Sequence, residues 1–190
     1  MALPIPTPLP AVKRYITTHD AEGRTTFSQA GQATETIPWE SIGGTRNYGL
    51  VYTTSSTPTK LQDDHDVKLY QSALEDKPGM IIHNGTVLRY CDYPPNAVSA
   101  MHRTISIDYG VVIEGQIEIL LDSGEKRIMN RGDVCVHRST MHGWRNPSST
   151  SWSRVLFVLM HAEAPVVAGK PLDEEYGNDR PGMKRSGSKI

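Results

Sequence analysis

Short runs rich in Val, Ile, Tyr and Thr alternate along the chain with clusters of Gly, Pro, Asn and Asp, and helical periodicity sustained over three turns is scarce. The pattern predicts an all-β fold. Strands are expected at residues 12–18, 47–54, 79–83, 86–93, 106–113, 116–121, 126–129, 133–137 and 153–161. The Asp122-Ser123-Gly124-Glu125 segment has the chemistry of a hairpin turn, with Gly124 free to take a positive φ. Between residues 63 and 74 lies the segment suited to a short helix, centred on His65 to Ala73. No internal repeat is visible, so a single barrel is expected.

The ends break the pattern. Residues 1–45 carry Pro, Thr, Gln and Gly with scattered large apolar side chains such as Val12, Tyr15, Ile16, Phe27 and Trp39, and predict an arm, not a domain. Such an arm can complete its own sheet or add to a partner's edge, which predicts a homodimer. Residues 46–168 are expected to form the barrel. Residues 169–190 are polar and Gly-rich and predict a tail that is loosely held or lies over the barrel, with the basic end Lys184-Arg185 frayed in solvent.

Composition narrows the classes of partner. A chain of 190 residues supports one domain with a real core. Its 20 basic and 21 acidic residues, net charge -1, give no electrostatic reason to expect nucleic acid or an anionic membrane. No apolar run is long enough to span a bilayer, and the proline-rich start lacks the order of a secretory signal, so a soluble, cytoplasmic protein is expected. Cys91 and Cys135 lack short paired spacing and read as free thiols.

Two glycine-anchored segments carry the candidate chemistry. The first runs from Asn96 through His102, Thr104 and Asp108 to Gly115, and the second from Gly132 through His137, Ser139 and His142 to Asn146. Alternation along a strand can turn His102, Thr104 and Asp108 to one face. Two imidazoles and a carboxylate suit a divalent transition metal with positions left open for substrate.

Together the segments, over about residues 80–163, resemble the two motifs of the cupin superfamily, and in particular small single-domain cupins of bacteria and fungi. Asn96 stands at the first motif's opening glycine, His102 at its first histidine, Thr104 at its second, Asp108 at its glutamate and Gly115 at its closing glycine. In the second motif, one residue shorter after Gly132, His137 falls at the proline, Ser139 at the second glycine, His142 at the histidine and Asn146 at the asparagine. The resemblance implies a double-stranded β-helix, or jelly-roll, barrel. It implies a divalent metal (Zn, Fe, Mn or Ni) at His102, Asp108 and His142, and catalytic roles for His102, Thr104, Asp108 and His142. Thr104 in place of a histidine and Asp108 in place of a glutamate weaken that ligand set or change its metal.

Some similar cupins lie in fungal polyketide clusters, which implies an aromatic or polyketide-like substrate. Three functions stay open: metal-assisted decarboxylation, dehydration or isomerisation of an oxygenated small metabolite; iron-dependent dioxygenation of a phenolic or enediol substrate; and metal-free ligand binding. His137, at the end of its strand, has a lesser claim to support the pocket from the rim, His83 and His161 lie in apolar strands with weak claims, and His19 and His65 are expected at the surface. Arg103 and Tyr109 are expected to point away from the interior, and Trp144 and Arg145 to bound the mouth or pack in the core. Arg89 and Tyr48 are candidates for an anion clamp and a proton donor, their direction unreadable from the sequence.

Overall fold

A computed structural model describes residues 2–29 and 36–177. The expectations for the basic end fall outside the described residues. In chain order the strands are β1 (Thr17–His19), β2 (Thr25–Phe27), β3 (Trp39–Ile42), β4 (Arg46–Thr54), β5 (Thr86–Tyr93), β6 (Ser106–Glu114), β7 (Gln116–Leu121), β8 (Lys126–Asn130), β9 (Val134–Arg138), β10 (His142–Arg145), β11 (Ser153–His161), β12 (Val166–Val167) and β13 (Lys170–Pro171). One helix, α1 (His65–Glu75), interrupts them. The chain is all-β, as its alternation predicts.

Two sheets face one another across the core. The larger has the order β3-β4-β5-β11-β6-β9, the smaller β10-β7-β8, and every pairing is antiparallel. Strand alternation decides which residues enter. On β5 the inward set is Val87, Arg89, Cys91 and Tyr93; on β11 it is Ser153, Val155, Phe157 and Leu159; on β6 it is Ser106, Asp108, Gly110 and Val112. The register stacks these into rows, so that Arg89, Phe157 and Gly110 lie across neighbouring strands, with Val87, Leu159, Asp108 and His137 in the next row. Gly110 is required here, because a Cβ on it would stand 2.9 Å from Phe157 Cε1.

The arm folds back on its own chain. β3 pairs with β4, Asn47 exchanges hydrogen bonds with the backbone of Ile5 at 2.8 Å, and Arg154 donates to Pro10 O at 2.6 Å. Arg154 is itself matched by Asp92 in a two-pronged pair at 2.7 Å, both buried beneath Trp39. Part of the tail lies over the barrel: Glu175 and Arg103 exchange backbone hydrogen bonds at 2.7 and 3.0 Å. No helix among the described residues is long and apolar enough to cross a membrane.

Several local expectations differ from the structure: of residues 12–18 only Thr17 and Thr18 lie in a strand, and β2, β3, β12 and β13 form where none is expected. Residues 79–83 form a loop, not a strand; Met80, Ile81 and Ile82 are buried, so their apolar run reflects a plug in the core. His142 to Arg145 form a strand that the sequence pattern leaves undrawn.

Candidate active site

His102 and His142 meet because their backbones pair. His102 N donates to His142 O at 2.8 Å and His142 N to His102 O at 3.0 Å, an antiparallel bridge that brings the rings to a centroid separation of 4.2 Å. Each Nδ1 lies 2.9 Å from a backbone carbonyl, of Ala100 for His102 and of Thr140 for His142. A carbonyl only accepts, so Nδ1 carries the proton and Nε2 is the basic nitrogen of both rings. Two residues at motif glycine positions set these turns: Asn96 at φ 60° and Ser139 at φ 50° take the left-handed conformation that glycine would favour. Ser139 compensates by bonding Ser106 through both its backbone and its hydroxyl at 2.9–3.0 Å.

Asp108 enters the same cavity from β6. The cavity, with about 20 Å³ of free space, is lined by His102, Thr104, Asp108 and His142 on one side and by Tyr48, Arg89, Trp144 and Phe157 among others. Asp108 is 4% exposed and its Oδ1 has no hydrogen-bond partner. Burial pushes its pKa up to about 7, against the opposing pull of the Ser106 hydroxyl and the Arg89 charge. Thr104 is buried behind it, its Oγ1 2.8 Å from Ser106 Oγ.

His137 is buried and not at the rim. Its ring stacks on His142 at 3.9 Å and meets Trp144 edge-on at 5.1 Å, while its Nδ1 lies 3.1 Å from Thr140 Oγ1 and its Nε2 has no partner. Burial pushes its pKa down to about 4, so the ring is neutral at physiological pH. Its alternation with Val136 and Arg138, both exposed, was the available signal for an inward ring. His83 and His161 meet at a tilt, ring centres 4.1 Å apart, away from this cavity, with His83 exposed in a turn, and His19 and His65 are exposed as expected. Tyr109 points outward; Trp144 is core and cavity wall at once, and Arg145 pairs with the buried Glu118 at 2.5 Å.

The expected metal set is only partly gathered. His102 and His142 are neighbours whose Nδ1–H groups are held by carbonyls, the arrangement usual for ligating imidazoles. Among the described residues, however, no group of three or more His, Cys, Asp and Glu side chains is close enough to hold a metal ion. Asp108 shares their cavity without joining them, so these residues do not fit the expected three-ligand centre.

Two paired motifs, a two-sheet barrel and inward His102, Asp108 and His142 form the frame that the sequence resemblance implied. A cupin-domain-containing oxidoreductase, virC, of Hypocrea virens is 40% identical, covering 84% of this chain and 82% of its own. The chain belongs to the cupin superfamily. Phomopsin biosynthesis cluster protein D of Diaporthe leptostromiformis is 45% identical over 84% of this chain and 83% of its own. Oryzines biosynthesis cluster protein J of Aspergillus oryzae is 42% identical over 88% of this cupin and 93% of its own length. Among solved structures, the polyketide cyclase RemF of Streptomyces resistomycificus covers 75% of this cupin and 83% of its own chain, with 16% identity and a TM-score of 0.46. No protein-family model matches the sequence.

Proposed function

We propose that this cupin is an enzyme of secondary metabolism that moves a proton on a small oxygenated metabolite, in an isomerisation, dehydration or decarboxylation, with Asp108 as the transferring carboxyl. The observation that carries the reading is geometric: Asp108 holds an unpartnered oxygen in a small cavity shared with two imidazoles whose Nδ1 atoms lie on backbone carbonyls. A carboxyl titrating near neutrality can both take and return a proton. In the ionised form Asp108 takes a proton from carbon beside a carbonyl, leaving the electron pair on the carbonyl oxygen as an enolate. Returned to another carbon, that proton completes an isomerisation; given to a departing hydroxyl, it completes a dehydration. The Nε2 atoms of His102 and His142 accept hydrogen bonds from substrate hydroxyls and orient the reacting carbon, while the Ser106 hydroxyl, itself 2.8 Å from Thr104 Oγ1, bonds the carboxyl. The names of the relatives, biosynthesis cluster proteins and cupin-domain-containing oxidoreductases, support a place in secondary metabolism.

A second reading gives His102 and His142 a divalent ion (zinc, iron, manganese or nickel), favoured by the carbonyl-held Nδ1 of both rings and by the oxidoreductase names. Such an ion would polarise a substrate oxygen or, as iron, support dioxygen chemistry.

One set of measurements separates the two. The purified protein is incubated in deuterated water with a panel of β-hydroxy and β-keto carbonyl compounds, and deuterium uptake beside the carbonyl is followed by mass spectrometry. The expected result is exchange that falls about 10²–10⁴-fold in Asp108→Asn. Exchange undiminished in that variant, or none across the panel, removes the first reading. Stoichiometric metal by elemental analysis, lost in His102→Ala and His142→Ala and coupled to dioxygen uptake, establishes the second in its place.

A further inference from the structure

Arg89 is a buried cation that makes no direct ion pair: its charge reaches the Asp108 carboxyl across the cavity, but its own contacts are all to neutral atoms. It is 6% exposed; Nη2 lies 3.3 and 3.4 Å from the carbonyls of Gly79 and Met80, Nη1 lies 3.6 Å from Met80 Sδ, and Nε has no partner. These are long contacts, and none of the acceptors carries a charge. The same chain shows what a settled buried guanidinium looks like: Arg154 grips Asp92 with two bonds of 2.7 Å. Leaving a charged donor buried and poorly satisfied is costly, and the cost is recovered when an anion binds it.

Its position is equally particular. Arg89 and Tyr48 line both the inner cavity of His102, Asp108 and His142 and a second cavity, of about 70 Å³, bounded by Pro38, Glu40, Leu50, Leu74, Lys77 and Pro78. The guanidinium sits 5.4 Å from the centre of the Tyr48 ring, which keeps it in the wall between the two spaces. The inner cavity has room for about one water-sized group. Arg89 and Tyr48 are thus wall residues of both spaces.

We propose that Arg89 is the substrate's anion-binding residue and that the substrate is a small carboxylic acid, bound by its carboxylate at the partition between the two cavities. A planar carboxylate matches the fork of a guanidinium and uses the Nε–H that now lacks a partner. This names the substrate class for the proton-transfer reading and rests on it, but its test needs no turnover.

Propionate and propionamide, equal in shape and different in charge, are titrated at constant ionic strength into the protein labelled with nitrogen-15. The Arg89 Nε–H signal is expected to shift with propionate and not with propionamide. Arg89→Gln is expected to weaken propionate binding at least 10-fold, and Arg89→Lys less. Equal shifts with acid and amide, no shift with either, or native-like propionate binding by a folded Arg89→Gln would overturn the proposal. The acid and amide comparison on the native chain decides the matter even if the Arg89 variants do not fold. Binding retained in Asp108→Asn while proton exchange is unaffected there would leave the clamp standing and remove the catalytic reading alone.

Discussion

Asp108 and His137 are partners across β6 and β9, and burial moves both toward their neutral forms. Their effects on stability run in opposite directions. Asp108 binds its proton up to about pH 7 in the folded chain but only to its ordinary 3.8 when unfolded, so its contribution falls as pH rises from about 4 to 7. His137 refuses a proton above about pH 4 when folded, whereas the unfolded ring accepts one below 6.5, so its contribution rises between those values. Over most of the shared window the two slopes cancel. Cys135, also facing Asp108, has its thiol pushed up to about 11 by burial and by that carboxyl, and stays protonated throughout. Asp108→Asn is therefore expected to gain stability on the native chain as pH rises from 4 to 7, and His137→Asn to lose it relative to the native chain from 4 to 6.5. Each divergence should be on the order of a few kcal/mol in urea unfolding. Parallel curves for native and variant chains would show that these groups titrate alike in both states.

At the scale of elements, the two motifs act as much to fasten strands as to supply side chains. Asn146 closes the second motif, and its Nδ2 lies within 2.8–3.0 Å of the carbonyls of Tyr93, Pro94 and Ser151, tying the end of β10 to the ends of β5 and β11. Asn146→Ala removes that tie and leaves buried carbonyls unsatisfied, for an expected loss of about 1–3 kcal/mol by urea unfolding. A loss of a few tenths would mean that water replaces it. The same elements explain what the sequence disclosed. β5, β7 and β11 match their expected limits residue for residue because each is a short run of β-forming and large apolar residues bounded by turn-forming Gly, Pro, Asn, Asp or Ser on at least one side. β10 does not: His-Gly-Trp-Arg has no period of two in hydropathy, and it becomes a strand because β7 pairs on one side while Val98 and His102 bridge it on the other. The loop at residues 79–83 fails the other way, apolar enough for a strand but spent as a plug whose carbonyls face Arg89. Motif spacing located His102, Asp108 and His142, because spacing survives Asn96 and Ser139 taking up glycine's conformation. It was silent on Arg89, whose direction depends on the register of β5 against β4 and β11.

For the whole molecule, the larger sheet ends at β9, an edge strand whose outward face carries Val134, Val136 and, at its end, Arg138. Val134 is 61% and Val136 53% exposed, and Tyr109 on β6, directly across from Val136, is 42% exposed. An open and largely apolar edge of this kind invites another strand. The N-terminal arm does not cover it, since its β3 pairs with β4 at the opposite end of the sheet. A second copy of this chain is the expected occupant: Val134, Val136 and Tyr109 carry no charge, and an antiparallel edge strand can pair with its own counterpart about a two-fold axis. Light scattering on the purified protein is expected to give a dimeric mass, and Val136→Lys, which places a charge at the centre of the patch, a monomeric one. The substitution points away from the cavity, so propionate binding at Arg89 should persist in the monomer. A monomeric mass for the native chain at micromolar concentration would remove the dimer, and a dimer indifferent to Val136→Lys would place its interface on another face. The distinction bears on the chemistry, because β9 carries His137 inward against His142, and a partner seated on β9 would stiffen the strand behind that stacked pair.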